Sequence, residues 1–326
     1  MIRARFGAVA TVVVTIAGIT FGAPTVVAAD CDGTSVGLTP LTQLGDRYQS
    51  YRGGLYPKGR NRRPKEHNSA GLRRARRIGP LSSSGEPDAN GRYVLLSIGM
   101  SNTTQEFEAF MQLTRGEAGL DPNLVIVDGA QGGHTAQAWA DPNEDAWTTV
   151  EQRLQQAGVA PEQVVVAWVK LANPRPSQGF PQATQILQND TETVIRNMKS
   201  RYRNLKLVYL SSRIYAGYAT TDLNPEPYAY EGGFAMKWVI RNQIRGDDDL
   251  NFKPSEGEVV APWLSWGPYL WADGLNERPD GLSWECADFL DDGTHPSPSG
   301  EQKVASRLLR FLRNDVTARQ WFLESP

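Results

Sequence analysis

Two short segments, far apart in the chain, hold the side chains best suited to chemistry. Gly99-Met100-Ser101-Asn102-Thr103-Thr104 presents a serine hydroxyl directly after the apolar run Tyr93–Ile98 and directly before a helical pattern. Asp292-Gly293-Thr294-His295-Pro296-Ser297 presents a carboxylate and an imidazole three residues apart, in a turn that contains glycine. A serine hydroxyl is inert until a neighbouring base takes its proton. The Asp292–His295 spacing lets the carboxylate steady the Nδ1 proton and aim Nε2 at Ser101. Attacking oxygen, general base and orienter of the base are thereby all supplied. Each residue also has a plainer reading: Ser101 as the N-cap of the following helix, and His295 as an exposed loop histidine. The two other histidines are His67, inside an arginine-rich stretch, and His134, a substrate contact or a reserve base.

Acyl transfer also needs donors for the developing oxyanion, commonly backbone N–H groups and an amide side chain. Asp128-Gly129-Ala130-Gln131-Gly132-Gly133-His134-Thr135 follows the second strand-like run, and its glycines let the backbone approach a substrate closely. Asn173 follows the third, in Lys170-Leu171-Ala172-Asn173-Pro174. Gly and Asn-Pro are also ordinary turn residues. The expected donors are the Ser101 and Gly133 N–H groups and the Asn173 amide.

These residues must be positioned by regular elements. Strand-like runs are Tyr93–Ile98, Leu124–Val127, Gln163–Leu171, Lys206–Ser211 and Val259–Trp263, rich in Val, Leu and Ile without steady alternation. Strands buried on both faces read this way. Between them lie helical candidates at Thr104–Thr114, Ala146–Ala157, Ala183–Arg203 and Gly233–Arg245. A last one, Ser299–Asn314, carries Val304, Leu308, Leu309 and Leu312 on one stripe. Alternating strand and helix predicts an α/β fold, a parallel sheet with helices on both faces. Ligands of such sheets bind beyond the carboxyl ends of the strands. Ser101 and the Asp292–His295 pair both fall there.

In these blocks the chain resembles the SGNH hydrolases, the superfamily also called GDSL-like esterases and lipases. Gly99-Met100-Ser101-Asn102 is similar to the Gly-Gln-Ser-Asn nucleophile block of carbohydrate acetylesterases, with Met100 where the commoner block has aspartate. Gly133-His134-Thr135 resembles the second block and Asn173 the third, although Leu171-Ala172-Asn173-Pro174 departs from the family's Gly-x-Asn-Asp. Asp292 to His295 matches the final Asp-x-x-His block. The resemblance spans about residues 92 to 314. It implies a three-layer α/β/α fold with a five-stranded parallel sheet, flavodoxin-like, and a Ser101/His295/Asp292 triad without a cofactor.

The first 29 residues read as an export signal: Arg3 and Arg5, the apolar run Val9–Phe21, then Val26-Val27-Ala28-Ala29 with small residues for cleavage near Ala29. The run is short for a membrane span, which needs about twenty apolar residues. A lipoprotein reading through Cys31 is weakened by Asp30, which stands where such signals need a small residue. Cleavage would leave a secreted chain without a stable membrane anchor and move the formal charge from -2 to about -4. That balance gives no reason to expect a nucleic-acid partner. Cys31 and Cys286 both survive cleavage, and an even count in an exported protein predicts one disulfide between them.

Residues 30–91 form a basic extension rich in Gly, Pro and Ser ahead of a catalytic region at 92–326. Arg52 to Arg77 carries ten Arg and Lys against a lone Glu66. Such a stretch fits either a polyanion-binding arm or, the favoured reading, an arm lying across the catalytic domain with its arginines solvated or paired. Trp263, Trp266, Tyr269, Trp271 and Trp284 gather just before the Asp292 block. They read equally as a sugar-stacking platform, with Trp271 and Trp284 as its candidate substrate contacts, or as a small core beneath a long loop. No cluster has metal-ligand spacing and no glycine loop would cradle phosphate. The expected function is secreted hydrolysis of a carboxylic ester, a short acyl group on a carbohydrate. A lipase or thioesterase of the same fold, or a non-catalytic carbohydrate- or wall-binding protein, are the alternatives.

Overall fold

The computed structural model describes residue 1 and residues 29–324. The expected export signal therefore lies almost wholly outside the described residues. In chain order the structure runs through strands β1 (Arg47–Tyr48) and β2 (Tyr51–Arg52), helix α1 (Lys65–Ala75), strand β3 (Tyr93–Gly99) and helix α2 (Ser101–Thr114). Strand β4 (Leu124–Asp128) follows, then α3 (Ala136–Ala140), α4 (Asp145–Gln156), β5 (Val164–Lys170) and α5 (Gln182–Arg201). The chain continues with β6 (Leu207–Ser211), α6 (Tyr228–Arg245), β7 (Trp263–Trp266), α7 (Pro298–Asn314) and α8 (Arg319–Phe322).

β3 to β7 form one five-stranded sheet in the order β4-β3-β5-β6-β7, every pair parallel. β3, β5, β6 and β7 are buried along their whole length, as their uninterrupted apolar runs require. α2 packs against α7 and α5 against α6, which completes the three layers. The expected α/β class, with a five-stranded parallel sheet in the flavodoxin-like arrangement, is the fold observed.

The 30–91 segment is more ordered than its composition suggested. α1 emerges from the arginine-rich stretch because its buried face is built from small residues. Gly71 lies so close to Trp263 that a Cβ there would fall 2.3 Å from the indole. His67 stacks on the same indole at 5.0 Å between ring centroids, with Nε2 2.8 Å from the Leu264 carbonyl. Leu41, Leu55, Tyr56, Ala70, Ala75 and Leu81 join the main core. Cys31 and Cys286 are bonded, which ties the start of the described chain to the segment ahead of Asp292.

Candidate active site

β3 ends at Gly99, where any side chain would collide: a Cβ would sit 2.3 Å from Thr103 Oγ1 and 2.6 Å from the Lys170 carbonyl. That close approach lets the chain turn sharply from strand into α2. Met100 is extended, and Ser101 is the first helical residue. The Ser101 N–H therefore has no intrahelical acceptor, and its hydroxyl stands at the positive end of the α2 dipole. Thr103 Oγ1 donates to the Lys170 carbonyl at 2.9 Å, and Trp139 Nε1 donates to the Gly99 carbonyl at 3.1 Å. The turn at Ser101 is thus pinned to β5 and α3.

The second block arrives between β7 and α7. Gly293 has φ +62°, and a Cβ there would overlap the Tyr218 carbonyl at 1.9 Å, so only glycine fits. The turn folds the Asp292 carboxylate back on its own chain. Asp292 Oδ1 accepts the N–H groups of Thr294 and His295, each at 2.9 Å. Asp292 Oδ2 is 2.5 Å from His295 Nδ1, and His295 Nε2 is 2.7 Å from Ser101 Oγ. Burial pushes the Asp292 carboxyl upward. The His295 N–H, the imidazole and the Thr294 N–H outweigh it and hold the group below the usual carboxylate range. With a carboxylate at Nδ1, the imidazole carries its proton there and Nε2 accepts from the serine. His295 and Asp292 keep about a quarter of their side-chain surface in solvent.

The 128–135 loop is shaped by a buried knot. Ser97 Oγ bonds the Asp128 carboxylate and accepts the Gly129 N–H at 3.0 Å, while Arg153 pairs with Asp128 at 3.1 Å. The loop then turns at Gly132 and Gly133. Gly133 adopts φ +82° and is exposed. The glycine nearer Ser101 is its neighbour: a Cβ on Gly132 would lie 3.6 Å from the Ser101 Cβ. His134 turns to its own surroundings, with Nδ1 3.0 Å from the Gly132 carbonyl and Nε2 3.3 Å from Glu144.

Asn173 sits beyond β5, with its amide engaged in fixing neighbouring loops. Its Oδ1 accepts the Gln137 N–H at 3.0 Å, and its Nδ2 donates to Asp190 at 2.6 Å. The remaining Nδ2 hydrogen has no acceptor among the described residues. Trp271 and Trp284 require a correction. Both are fully buried, at 0 % exposure. Trp271 Nε1 donates to Glu226 at 2.7 Å and Trp284 Nε1 to the Leu270 carbonyl at 3.0 Å. A long loop without regular structure must bury apolar surface somewhere, and these indoles supply it. They have no face free to stack on a sugar.

Sequence reasoning missed the charges beneath this edge. Glu106 of α2 and Lys170 of β5 pair at 2.8 Å with neither side chain exposed. They are close, but not angled as a good hydrogen bond. Arg213, 3 % exposed, feels Glu106, Glu226 and Asp292, and its Nη2 reaches the Thr294 carbonyl at 3.4 Å. Burial raises the Glu106 carboxyl and lowers the Lys170 ammonium. Asn102, beside Ser101, is 1 % exposed with both amide atoms unpartnered among the described residues. Pairings of this kind join distant segments and leave no local signature. Among the described residues no group of three His, Cys, Asp or Glu is arranged to hold a metal ion.

No protein-family model matches the chain, and no curated protein does. Solved structures do. The YxiM protein of Bacillus subtilis is 11% identical over 70% of this chain and 58% of its own, at TM-score 0.38. This chain thus spans less than two thirds of that protein. The periplasmic domain of a Salmonella ser. Paratyphi A lipopolysaccharide acetyltransferase is 12% identical over 68% of this chain and 84% of its own, at TM-score 0.37. A Bacteroides fragilis protein whose assignment as an acylhydrolase is itself provisional is 8% identical over 79% of this chain and all of its own, at TM-score 0.38. Likenesses this distant say nothing of chemistry, which rests on the side chains above.

Proposed function

We propose that this chain is an exported serine esterase that hydrolyses a carboxylic ester by way of a covalent acyl-enzyme. The observation that carries the reading is the unbroken hydrogen-bond chain Ser101–His295–Asp292, 2.7 Å and 2.5 Å long, on the carboxyl edge of the sheet. Ser101 Oγ attacks the ester carbonyl while His295 Nε2 takes its proton; the carboxylate of Asp292 stabilises the imidazolium. The oxyanion of the tetrahedral intermediate faces the Ser101 N–H at the α2 N-terminus and the backbone of the Gly132-Gly133 turn, with the spare Asn173 hydrogen as a third donor. His295 returns the proton to the leaving alcohol. Water then attacks the acyl-enzyme by the same route, with the imidazole acting as base a second time.

The substrate reading is a short acyl group on a carbohydrate. The Gly99-Met100-Ser101-Asn102 block supports it through its likeness to carbohydrate acetylesterases. The buried tryptophans withdraw the stacking platform as a second support. The test is hydrolysis of p-nitrophenyl esters of rising chain length beside acetylated oligosaccharides. The expected order is acetate above butyrate above octanoate, with acetylated sugars showing the lower KM because remote contacts add binding energy. A rate that climbs toward octanoate would replace this reading with a lipase. No turnover of any ester would leave a binding protein that keeps the fold.

A further inference from the structure

The stretch that the catalytic reading leaves unused is the basic one. Eleven Arg and Lys lie between Arg47 and Arg77 against Glu66 alone, in a chain of net charge -2. Among the described residues only Arg63 of these is in an ion pair, with Asp315. Arg74 bonds the Phe252 carbonyl and covers its ring at 4.4 Å. Arg47, Arg52, Lys58, Arg60 and Arg62 stand exposed.

The backbone that carries these cations is held firmly: Arg47 Nη1 donates to the Ser50 carbonyl of its own hairpin at 2.6 Å, while the bonds around Arg52 and Lys58 do not use their charges. Lys237 Nζ donates to the Arg52 and Gly53 carbonyls, the Gly54 N–H donates to Leu41 at 2.6 Å, and Asn61 Nδ2 donates to Thr42 at 2.6 Å. Gly54 has φ +74°, and a Cβ there would strike Gly59 at 2.3 Å. The result is a concavity of about 680 Å³ whose charged lining is Arg47, Arg52 and Lys58, with Asp46 the one carboxylate. Its volume is that of an ordinary ligand site. The β1–β2 hairpin that supplies Arg47 and Arg52 to this lining packs against the loop between β5 and α5. Tyr48 and Tyr51 each pack edge-on against Phe180 at 5.0 Å, at the end of the loop that starts near Asn173. Tyr48 bonds Glu231, which lines a small cavity with Asn173.

We propose that this concavity docks an anionic polysaccharide, one bearing carboxylates along its chain, and so delivers the acylated polymer to the Ser101 edge. The substrate half of this inference rests on the esterase reading above; the binding half does not. A nucleic acid fits less well. The tyrosines of the β1–β2 hairpin are turned onto Phe180, Phe234 and Trp238, which leaves no aromatic face on which bases could stack.

The experiment uses full-length Ser101→Ala protein, which needs no turnover, and measures retardation on polygalacturonate beside neutral dextran. Binding to polygalacturonate alone is expected, weakening from about 0.01 M to about 1 M salt as the Debye length falls from about 30 Å to about 3 Å. Replacing Arg47, Arg52 and Lys58 together by Ser should weaken it by about tenfold. The same triple change on the Ser101 background should leave p-nitrophenyl acetate hydrolysis as it was. If the triple variant fails to fold, Arg52→Ser and Lys58→Ser alone, both at exposed side chains, carry the test with smaller losses. Unchanged retardation in the variants, equal retardation on dextran, or equally tight binding of single-stranded DNA would each overturn the proposal. Binding of polyuronate without hydrolysis of any ester would instead overturn the esterase reading alone.

Discussion

Lys170→Met is the perturbation that most directly probes the charges beneath the site. Lys170 and Glu106 are 2.8 Å apart, neither exposed, and Met fills the lysine stem with little change of volume. The variant leaves the Glu106 carboxylate buried with Arg213 as its remaining cation. Breaking a buried pair from one side costs about 3–5 kcal/mol, because an uncompensated charge stays behind. At this chain length that is a fall of roughly 6–10 °C in Tm, taking about 2 °C per kcal/mol. Glu106 already has its folded pKa raised by burial, and loss of Lys170 raises it further. Stability from such a group is complete below the unfolded pKa of about 4.3 and is lost as pH rises through the folded value. The variant should therefore be closest to the parent in acid and furthest from it at neutral pH. Lys170→Met with Glu106→Leu removes both charges and should recover most of the loss. The assay is thermal unfolding at several pH values on the single and double variants. A single variant within about 1 kcal/mol of the parent, or a double variant that costs the sum of both singles, would refute the pairing.

Asp292→Asn keeps an acceptor at the Oδ1 position for the Thr294 and His295 N–H groups but offers an NH₂ to His295 Nδ1. The imidazole then carries its proton on Nε2 and cannot accept from Ser101, so kcat should fall roughly 10²- to 10⁴-fold with the fold intact; steady-state kinetics with circular dichroism checks this. His67 is buried, and burial lowers its pKa from 6.5 to about 4. Its contribution is present above about pH 6.5 and is lost as pH falls toward 4, about 3 kcal/mol in all. Denaturant titrations should find that His67→Gln flattens this acid slope; an unchanged slope would place the sensitivity elsewhere. Trp271→Ala should cost about 3–5 kcal/mol as a core truncation and affect sugar and simple esters alike. A loss confined to sugar substrates would restore the stacking platform.

The parallel sheet was legible because strands buried on both faces need unbroken apolar runs, and β3, β5 and β6 fall where those runs lie. β7 is displaced from the expected Val259–Trp263 to Trp263–Trp266, because the run crosses Pro262, which has no N–H for a sheet ladder. α6 starts at Tyr228 rather than Gly233. Gly232 and Gly233 look like breakers in sequence, yet Gly233 is where Leu41 approaches to 3.1 Å of a would-be Cβ. α3 is a five-residue helix capped by Thr135, too short for any periodicity. The Asp292–His295 geometry could be read locally because its bonds lie within four residues. The nearer approach of Gly132 than Gly133, the Glu106–Lys170 pair and the burial of Trp271 depend on contacts between distant segments, which spacing along the chain does not encode.

The central claim is that Ser101 is a nucleophile activated by His295. Mass spectrometry of the protein after a fluorophosphonate probe tests it most directly. One phosphonylated peptide containing Ser101 is expected, with no labelling in Ser101→Ala or His295→Ala and a fall of about 10³- to 10⁶-fold in ester hydrolysis in both. Persistent labelling of Ser101→Ala, or full activity in His295→Ala, would contradict it.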